Sequence, residues 1–279
     1  MAVTHFRAPS IIPGFGLTFG FTLFYLSIIV IVPVIGIYIH TFQLDWAAFE
    51  RIVTGARFQA ALRLSFGTSA LAALVNVVIG VLVAWVLTRY SFPGRRVLDA
   101  IVDLPFALPT AVAGISLTAI YAPTGLIGQL FAPLGIRIAY TPLGILIALI
   151  FIGLPFVVRT VQPVLQDFDR EVEEASATLG ASRLTTIVRV LLPNLVPAIL
   201  TGFALAFSRA VGEYGSVIFI AGNLPRQTEI LPLLIVFRLE EYNYPAAAAI
   251  AAVMMTASFV ILLLINLIQA WSRRRFGRV

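Results

Sequence analysis

The sequence predicts an all-α integral membrane protein with six transmembrane helices. Of its 279 residues, 60% are hydrophobic and only 11% are charged, whereas soluble domains carry about 25% charged residues. The mean hydropathy is +1.00. Six apolar runs reach the roughly 20 residues that a helix needs to cross a bilayer, with approximate bounds of 11–39, 64–88, 104–121, 138–158, 195–221 and 246–271.

Length decides how two of the apolar segments are interpreted: the first run, and the short stretch that precedes the sixth run. Run 11–39 is longer than the core of a cleaved signal peptide, which has about 7–15 apolar residues, so it is expected to remain as the first span. The stretch 228–241, TEILPLLIVFRLEE, has an apolar core too short to cross the bilayer. It is expected to be either a helix at the outer surface or a re-entrant segment.

The third run opens with two prolines. Residues 103–114 read DLPFALPTAVAG, so Pro105 and Pro109 each remove a backbone donor. Two interpretations stay open. Both prolines stand at a helix start, or they bend a helix that lines a pathway, since broken helices persist in membranes only where protein or a cavity covers them.

The distribution of arginines indicates the orientation. If both ends are cytoplasmic, the inner segments hold twelve arginines and the outer segments six, with Arg209 left inside a span. The positive-inside rule then favours cytoplasmic termini, and the arginines of RYSFPGRR (89–96) are interpreted as topology anchors. The same distribution explains the net charge of +6 without nucleic acid as a partner. No linker or repeat divides the chain, so residues 1–279 are expected to form a single domain.

Composition excludes several kinds of chemistry. The chain has no cysteine, and all nineteen basic residues are arginine. Disulfides, thiol catalysis, Schiff bases and a phosphate-binding lysine loop are therefore excluded, and nucleotide hydrolysis would require another chain. His5 and His40 lie at opposite ends of the first run, so neither a catalytic nor a metal site is expected.

A charged, glycine-containing stretch interrupts the apolar pattern between the fourth and fifth runs. Residues 173–193 read EEASATLGASRLTTIVRVLLP. Helical spacing places apolar side chains on one stripe before Gly180 and on a second stripe after it, and glycine suits the left-handed residue that ends a helix. A loop over about 167–193 is therefore predicted to form two short amphipathic helices. Their apolar faces rest on the lipid interface or bind a partner.

This stretch resembles the cytoplasmic EAA loop of ABC importer permeases. That pattern reads E-A-A, three residues, G, nine residues, I, one residue, L-P. The matching residues here are Glu174, Ala175, Ser176, Gly180, Val190, Leu192 and Pro193. Serine and valine replace the second alanine and the isoleucine, which are small departures. The resemblance implies that these residues dock in a groove of a separate ATPase subunit.

Three further segments, 13–27, 103–128 and 208–235, look like the T-type subunit of sulfate/thiosulfate permeases, in the wider sulfate/molybdate group. The resemblance implies a type I ABC importer permease fold with a cytoplasmic helix-turn-helix coupling loop, in a bacterial inner membrane. It also implies the partners: a related W-type permease in a heterodimer, two ATPase subunits that bind ATP and Mg, and a periplasmic sulfate-binding protein. This chain would hold no cofactor and would form half of an anion pathway that works by alternating access.

The block SRAVGEYG places two charges in the fifth run. Arg209 and Glu213 are four residues apart and can pair on one helix face, as a structural ion pair or as part of the pathway. Gly212 and Gly215 would let a neighbouring helix approach or let this helix bend. The candidates for the pathway or its gate are Arg209, Glu213, Tyr214, Pro105 and Pro109.

Three rival functions stay open at this point. A permease for molybdate, tungstate or another oxyanion would share the coupling loop. A channel or secondary transporter without an ATPase would need titratable groups inside the membrane, of which only Glu213 qualifies. A membrane-embedded enzyme would need a convergent set of His, Asp, Cys or Glu side chains.

Overall fold

The computed structural model describes residues 14–168 and 170–276, and these residues are nearly all helical, as the sequence predicts. The helices follow one another as α1 Phe15–Thr41, α2 Trp46–Thr54, α3 Ala56–Arg89, α4 Arg95–Val102, α5 Leu104–Ala107, α6 Thr110–Tyr121, α7 Gly128–Phe131, α8 Pro142–Asp167, α9 Arg170–Thr178, α10 Arg183–Val211, α11 Val217–Ile220, α12 Leu231–Glu240 and α13 Tyr244–Phe276. Helix α1 contains a π-helical turn at Ser27–Ile31, and α10 contains another at Ile187–Leu191.

Five of these helices, α1, α3, α8, α10 and α13, are long and apolar enough to cross a membrane. They correspond to five of the six predicted runs, and residues 11–13 of the first run lie outside the described residues. The fourth span is displaced, because α8 begins at Pro142 and continues to Asp167. The predicted coupling loop therefore begins at the last residue of α8.

The third predicted run is not one helix. The backbone is extended at Leu108 (φ −87°, ψ 133°) and Pro109 (φ −56°, ψ 134°), between α5 and α6. Pro105 lies in the first turn of α5 and Pro109 directly precedes α6, where a missing N–H is tolerated. A proline also pushes the residue before it out of the helical region. The prediction of a continuous third span is thus corrected to a broken helix with an apolar part of 12 residues.

The fifth span ends earlier than the sequence predicts. Helix α10 stops at Val211, and a non-helical stretch over 212–216 separates it from α11. Gly212 caps the helix with φ −84° and ψ 3°. Arg209 therefore lies in the last turn of α10 and Glu213 beyond its end, which corrects the expectation that both charges lie within one continuous span.

Helices α3, α8 and α10 pack into the core, where glycines allow close approach. A Cβ added at Gly80 would lie 2.8 Å from the Cβ of Val157, and one at Gly202 would lie 2.5 Å from Oγ1 of Thr160. Small residues bring membrane helices together in this way. By contrast, no residue of α1 is buried. The close packing fixes α10, which carries both candidate sites, against α8.

The short apolar stretch before the last span forms α12, packed against α3 and α13. Leu231, Leu233 and Leu234 are buried, and the N–H of Leu231 donates to Oγ of Ser65 at 2.8 Å. Just before it, the fully buried carboxylate of Glu229 accepts two hydrogen bonds from Arg57, at 2.6 and 2.8 Å. The stretch is thus a helix whose first turn is buried and tied to α3, and both expectations, the surface helix and the re-entrant segment, stay predictions.

Candidate functional site

The turn at Gly180 has the geometry that the loop's spacing predicts. Gly180 is left-handed, with φ +82°. The N–H of Ala181 donates to the carbonyl of Ser176 at 3.1 Å, and the N–H of Gly180 donates to that of Ala177 at 3.0 Å. This pair of bonds is the Schellman motif, which ends a helix with a left-handed residue. Among the described residues, nothing lies within 4 Å of a Cβ added at Gly180, so local hydrogen bonds suffice to form the turn.

The second helix of the loop is not separate from the fifth span, contrary to the sequence prediction. Helix α10 begins after Ser182, whose Oγ accepts from the N–H of Thr185 at 3.2 Å, and it runs without interruption to Val211. Pro193 does not break it, because the π-helical turn Ile187–Leu191 precedes the proline and leaves it in the first turn of regular helix. One helix therefore joins the coupling loop to Arg209.

The loop presents apolar side chains on an exposed surface. Leu179 is 87% exposed and Leu184 is 71% exposed, on either side of the turn. Of the motif residues, Glu174, Ala175, Gly180 and Leu192 are exposed, and Ser176, Val190 and Pro193 are half-buried. The hydroxyls of Ser176 and Thr186 share a hydrogen bond of 2.8 Å that joins α9 to α10. The serine that departs from the family pattern thus braces the two helices.

An ion pair ties the loop to the rest of the permease. Glu173 of α9 accepts from Arg89, the last residue of α3, and the side chain of Arg89 is only 11% exposed. Sequence reasoning assigned Arg89 to topology and missed the pair, because 84 residues separate the two partners. The pair gives α9 a fixed point on a second membrane span.

A reversal of this pair should reveal its contribution. We expect Arg89→Glu and Glu173→Arg each to lower transport severalfold, because each juxtaposes like charges at a half-buried position. The combination Arg89→Glu with Glu173→Arg restores an opposite-charge pair and should recover most of the activity. Uptake of the transported anion, normalised to permease in the membrane, measures the effect. Equal loss in the double variant and in the single variants would contradict a pairing role.

The second candidate site lies where α10 ends. Arg209 NH1 pairs with Oε2 of Glu213 at 2.5 Å, and the carboxylate is 2% exposed while the arginine side chain is 35% exposed. The other oxygen, Oε1, accepts from the N–H and the hydroxyl of Ser216 at 2.8 and 2.9 Å. Glu213 is therefore held by the loop that follows it, and it holds Arg209 at the edge of the bundle.

The broken third span and the end of the fifth span meet at this point. A Cβ on Gly215 would lie 2.2 Å from Oγ1 of Thr110, and one on Gly114 would lie 2.4 Å from the carbonyl oxygen of Ser216. Gly215 thus allows the expected close approach, whereas the nearest atom to a Cβ at Gly212 is 3.9 Å away. Pro109 and Glu213 are brought into one region, while Pro105 lies one short helix away. Tyr214 is half-buried against a core cluster of α8 and α11.

A further charged cluster fastens the broken third span to α8. Arg159 donates to the carboxylates of Asp99 and Asp103, at 2.7 Å and 2.6 Å for the shortest contacts, and to Oε1 of Gln162 at 2.6 Å. Sequence reasoning missed this cluster because its aspartates and its arginine are 56 and 60 residues apart. The sequence did contain a signal for this cluster. Two aspartates lie four residues apart on a short helix, and an apolar helix contains an arginine that needs a partner.

Among the described residues, no three His, Cys, Asp or Glu side chains gather where they could hold a metal ion. What the region does hold is an exposed apolar loop, an arginine at a helix end, and one helix that joins them. That arrangement places an exposed apolar surface and a partly exposed guanidinium at the two ends of one helix.

Comparison with known proteins agrees with this geometry. Residues 76–278 match the family described as Binding-protein-dependent transport system inner membrane component. The chain is 47% identical to Sulfate transport system permease protein CysT of Salmonella typhimurium, over 96% of this chain and 95% of that protein. It is 50% identical to the protein of the same name from Synechocystis sp., over 91% of this chain and 88% of that protein.

Solved structures share the fold. A bacterial alginate ABC transporter, in complex with an alginate pentasaccharide-bound periplasmic protein, has a TM-score of 0.75 at 19% identity, covering 95% of this chain and 96% of that chain. The inward-facing MetNI methionine ABC transporter has a TM-score of 0.57 at 18% identity, covering 76% of this chain and 94% of that chain. The ABC importer permease fold that the sequence predicts is confirmed. The chain belongs to the family of binding-protein-dependent transport system inner membrane components.

Proposed function

We propose that this chain is the permease subunit of an ATP-driven importer of sulfate and thiosulfate, and forms half of the anion pathway. The observation that carries the proposal is α10, which runs unbroken from the exposed loop at Arg183 to the arginine at its other end, Arg209. The relatives named as sulfate transport system permeases support the choice of anion.

The loop is the docking site for an ATPase. Leu179 and Leu184 are exposed apolar side chains at the tip of a polar loop, and burying such residues in a partner's groove is favourable by about 1.5–3 kcal/mol each. Two ATPase subunits would bind ATP and Mg, one on this loop and one on the equivalent loop of a related W-type permease. A periplasmic sulfate-binding protein would deliver the anion, as the periplasmic protein in the alginate complex supports.

Movement of the loop drives alternating access. ATP binding draws the two ATPases together, and the pair formed by Glu173 and Arg89 makes α9 follow as a unit with α3. Helix α10 then tilts against α8, where Gly202 keeps the two backbones close. A ligand shifts such an equilibrium only through its different affinities for the two states, so ATP and the loaded binding protein must each favour one of them.

Arg209 is the anion-attracting group of the pathway. Its guanidinium is partly exposed at the end of α10, and the carboxylate of Glu213 balances its charge so that a dianion is attracted without being trapped. Tyr214, Pro109 and Pro105 lie in the segments around this end and complete the region where a gate would open. The charges are tolerated at this depth because they are paired with each other.

The chain forms one domain over 1–279 in the bacterial inner membrane, with both termini and the coupling loop in the cytoplasm. Thr178 in the loop and Arg226 between α11 and α12 are both exposed, and the protein has no cysteine of its own. We expect a cysteine at exposed Thr178 to be protected from a membrane-impermeant thiol reagent in intact cells, and one at exposed Arg226 to be labelled. The reverse pattern would overturn the orientation.

Anion-dependent ATPase activity tests the function directly. The reconstituted assembly should hydrolyse ATP faster when loaded binding protein and sulfate or thiosulfate are present together. Molybdate and tungstate serve as the matched comparison, because they are tetrahedral dianions of similar charge. Stimulation by molybdate alone would reassign the substrate. Anion transport without an ATPase would overturn the proposal.

A further inference from the structure

Two neighbouring pockets lie at the end of the bundle opposite the coupling loop. The first, of about 320 Å³, lies between α2, α3, α12 and α13, and its lining includes Arg51, Arg57 and Arg238. The second is a groove of about 630 Å³ between α1, α2 and α13. Leu44 lines both. The two pockets are therefore separated only by the start of α2.

The arginine-lined pocket carries an excess of positive charge. Arg57 is paired with the buried Glu229 through Nε and NH2, and Arg238 is paired through NH1 with Glu241. Arg51 has no ion pair within residues 14–168 and 170–276. Three guanidinium groups thus face two carboxylates, and each keeps N–H groups outside the pairs. Such a pocket suits an anion that accepts several hydrogen bonds, as a phosphate does.

The adjacent groove is lined mainly by apolar side chains. Phe42, Trp46 and Phe49 form one wall, and Ala252 and Ala257 of α13 contribute small side chains to the other. Phe42 is 82% exposed and Trp46 is 75% exposed, and tryptophans collect at the level of the lipid headgroups. The groove therefore starts at the membrane interface and runs along α13 toward the bilayer interior, where an acyl chain would lie.

We propose that the two pockets together bind one anionic phospholipid, with the phosphate at Arg51, Arg57 and Arg238 and one acyl chain in the groove. Basic pockets between membrane helices recognise lipid headgroups in this way. A free oxyanion would use the arginines but leave the groove unfilled, and a zwitterionic lipid would gain less from the excess charge. The assignment of this lipid to the outer leaflet rests on the proposed orientation; the rest of the inference does not.

Quenching of Trp46 tests the site. The full-length permease carrying Trp85→Phe and Trp271→Phe retains Trp46 as its sole tryptophan, since the chain has three. It is reconstituted in phosphatidylcholine vesicles that contain brominated phosphatidylglycerol or, at equal bromine content, brominated phosphatidylcholine. We expect phosphatidylglycerol to quench at lower mole fraction. Arg51→Gln and Arg238→Gln should each weaken this preference about fivefold, as the contribution of one basic residue near an anionic headgroup implies.

Control variants separate the two halves of the site. Arg226→Gln removes an exposed arginine outside both pockets and should leave the preference unchanged. Ala257→Phe fills the groove and should reduce quenching by both lipids. Equal quenching by the two lipids would overturn the proposal, as would an unchanged preference in Arg51→Gln with Arg238→Gln. Abolition of the preference by millimolar sulfate or phosphate would instead assign the arginines to a soluble oxyanion and also overturn it.

Discussion

Replacing Gly180 with valine is expected to lower sulfate uptake about tenfold or more, while the permease stays folded in the membrane. Within residues 14–168 and 170–276, nothing lies within 4 Å of a Cβ at Gly180, where φ is +82°. The left-handed conformation costs a residue with a Cβ about 1–2 kcal/mol, and a β-branched residue tolerates it least. The Ala181–Ser176 bond would break, and Leu179 and Leu184 would no longer be presented together. Uptake and ATPase stimulation should fall about tenfold or more, the factor that 1.4 kcal/mol represents.

Two matched variants isolate the cause. Gly135 also has a positive φ, +72°, with nothing within 4 Å, but it lies between α7 and α8, far along the chain from the loop. Gly135→Val therefore imposes the same backbone strain and should leave uptake near normal. Gly180→Asn should retain most of the coupling, because asparagine tolerates the left-handed region. Permease-dependent ATPase activity at the wild-type level in Gly180→Val would refute the docking role.

Neutralising the charges at the end of α10 should block transport without blocking assembly. The double variant Arg209→Gln with Glu213→Gln removes both charges, so no unpaired charge stays buried. A single substitution would leave one and would lower the stability by about 3–5 kcal/mol. The glutamine at 213 keeps an oxygen for the N–H of Ser216, so the loop over 212–216 is retained. We expect normal levels of the permease in the membrane and retained stimulation of the ATPase by the binding protein. Sulfate uptake should fall about a hundredfold, because a charged contact worth about 3 kcal/mol is lost.

A second buried ion pair provides the control. Arg57 and Glu229 have side chains 36% and 0% exposed, against 35% and 2% for Arg209 and Glu213. Arg57→Gln with Glu229→Gln removes a pair of the same kind, between α3 and the stretch before α12, and uptake should change little. Arg209→Gln alone leaves Glu213 unpaired and should lower the amount of protein in the membrane. Normal sulfate uptake in the double variant at 209 and 213 would remove Arg209 from the pathway and leave the pair structural.

Features set by local spacing were predictable from the sequence. The turn at Gly180 needs only hydrogen bonds between residues at most five positions apart, and Ser182 caps the next helix with the residue three positions on. Arg209 and Glu213 pair over four residues as expected. Long apolar runs likewise determine which segments can cross the bilayer. These parts of the fold and of the site depend on short-range geometry, and the structure agrees with them.

Features set by distant contacts were not predictable. Pro193 looked like a helix boundary, but the π-helical turn before it accommodates the missing donor and the helix continues. The fifth run looked apolar to residue 221, but the helix ends at Val211, and the non-helical residues after it pack closely on α6, where Gly114 lies against Ser216. Arg89 looked like a topology anchor and Arg159 was counted among the inner arginines, and the partners of both lie on helices that only the folded bundle brings near.

Helix α10 is continuous from Arg183 to Arg209, about 39 Å at the rise of an α-helix, and under the proposed function it couples a ligand at one end to a ligand at the other. If ATPase docking at the loop changes the affinity for the anion at the other end by some factor, then bound anion must change the affinity of the ATPase for the loop by the same factor. An anion bound at Arg209 would therefore change the dissociation constant of the ATPase from the loop, although the anion and the ATPase do not touch. The π-helical turn Ile187–Leu191 is where the size of this coupling would be set, since bending there would absorb motion that the rest of the helix transmits.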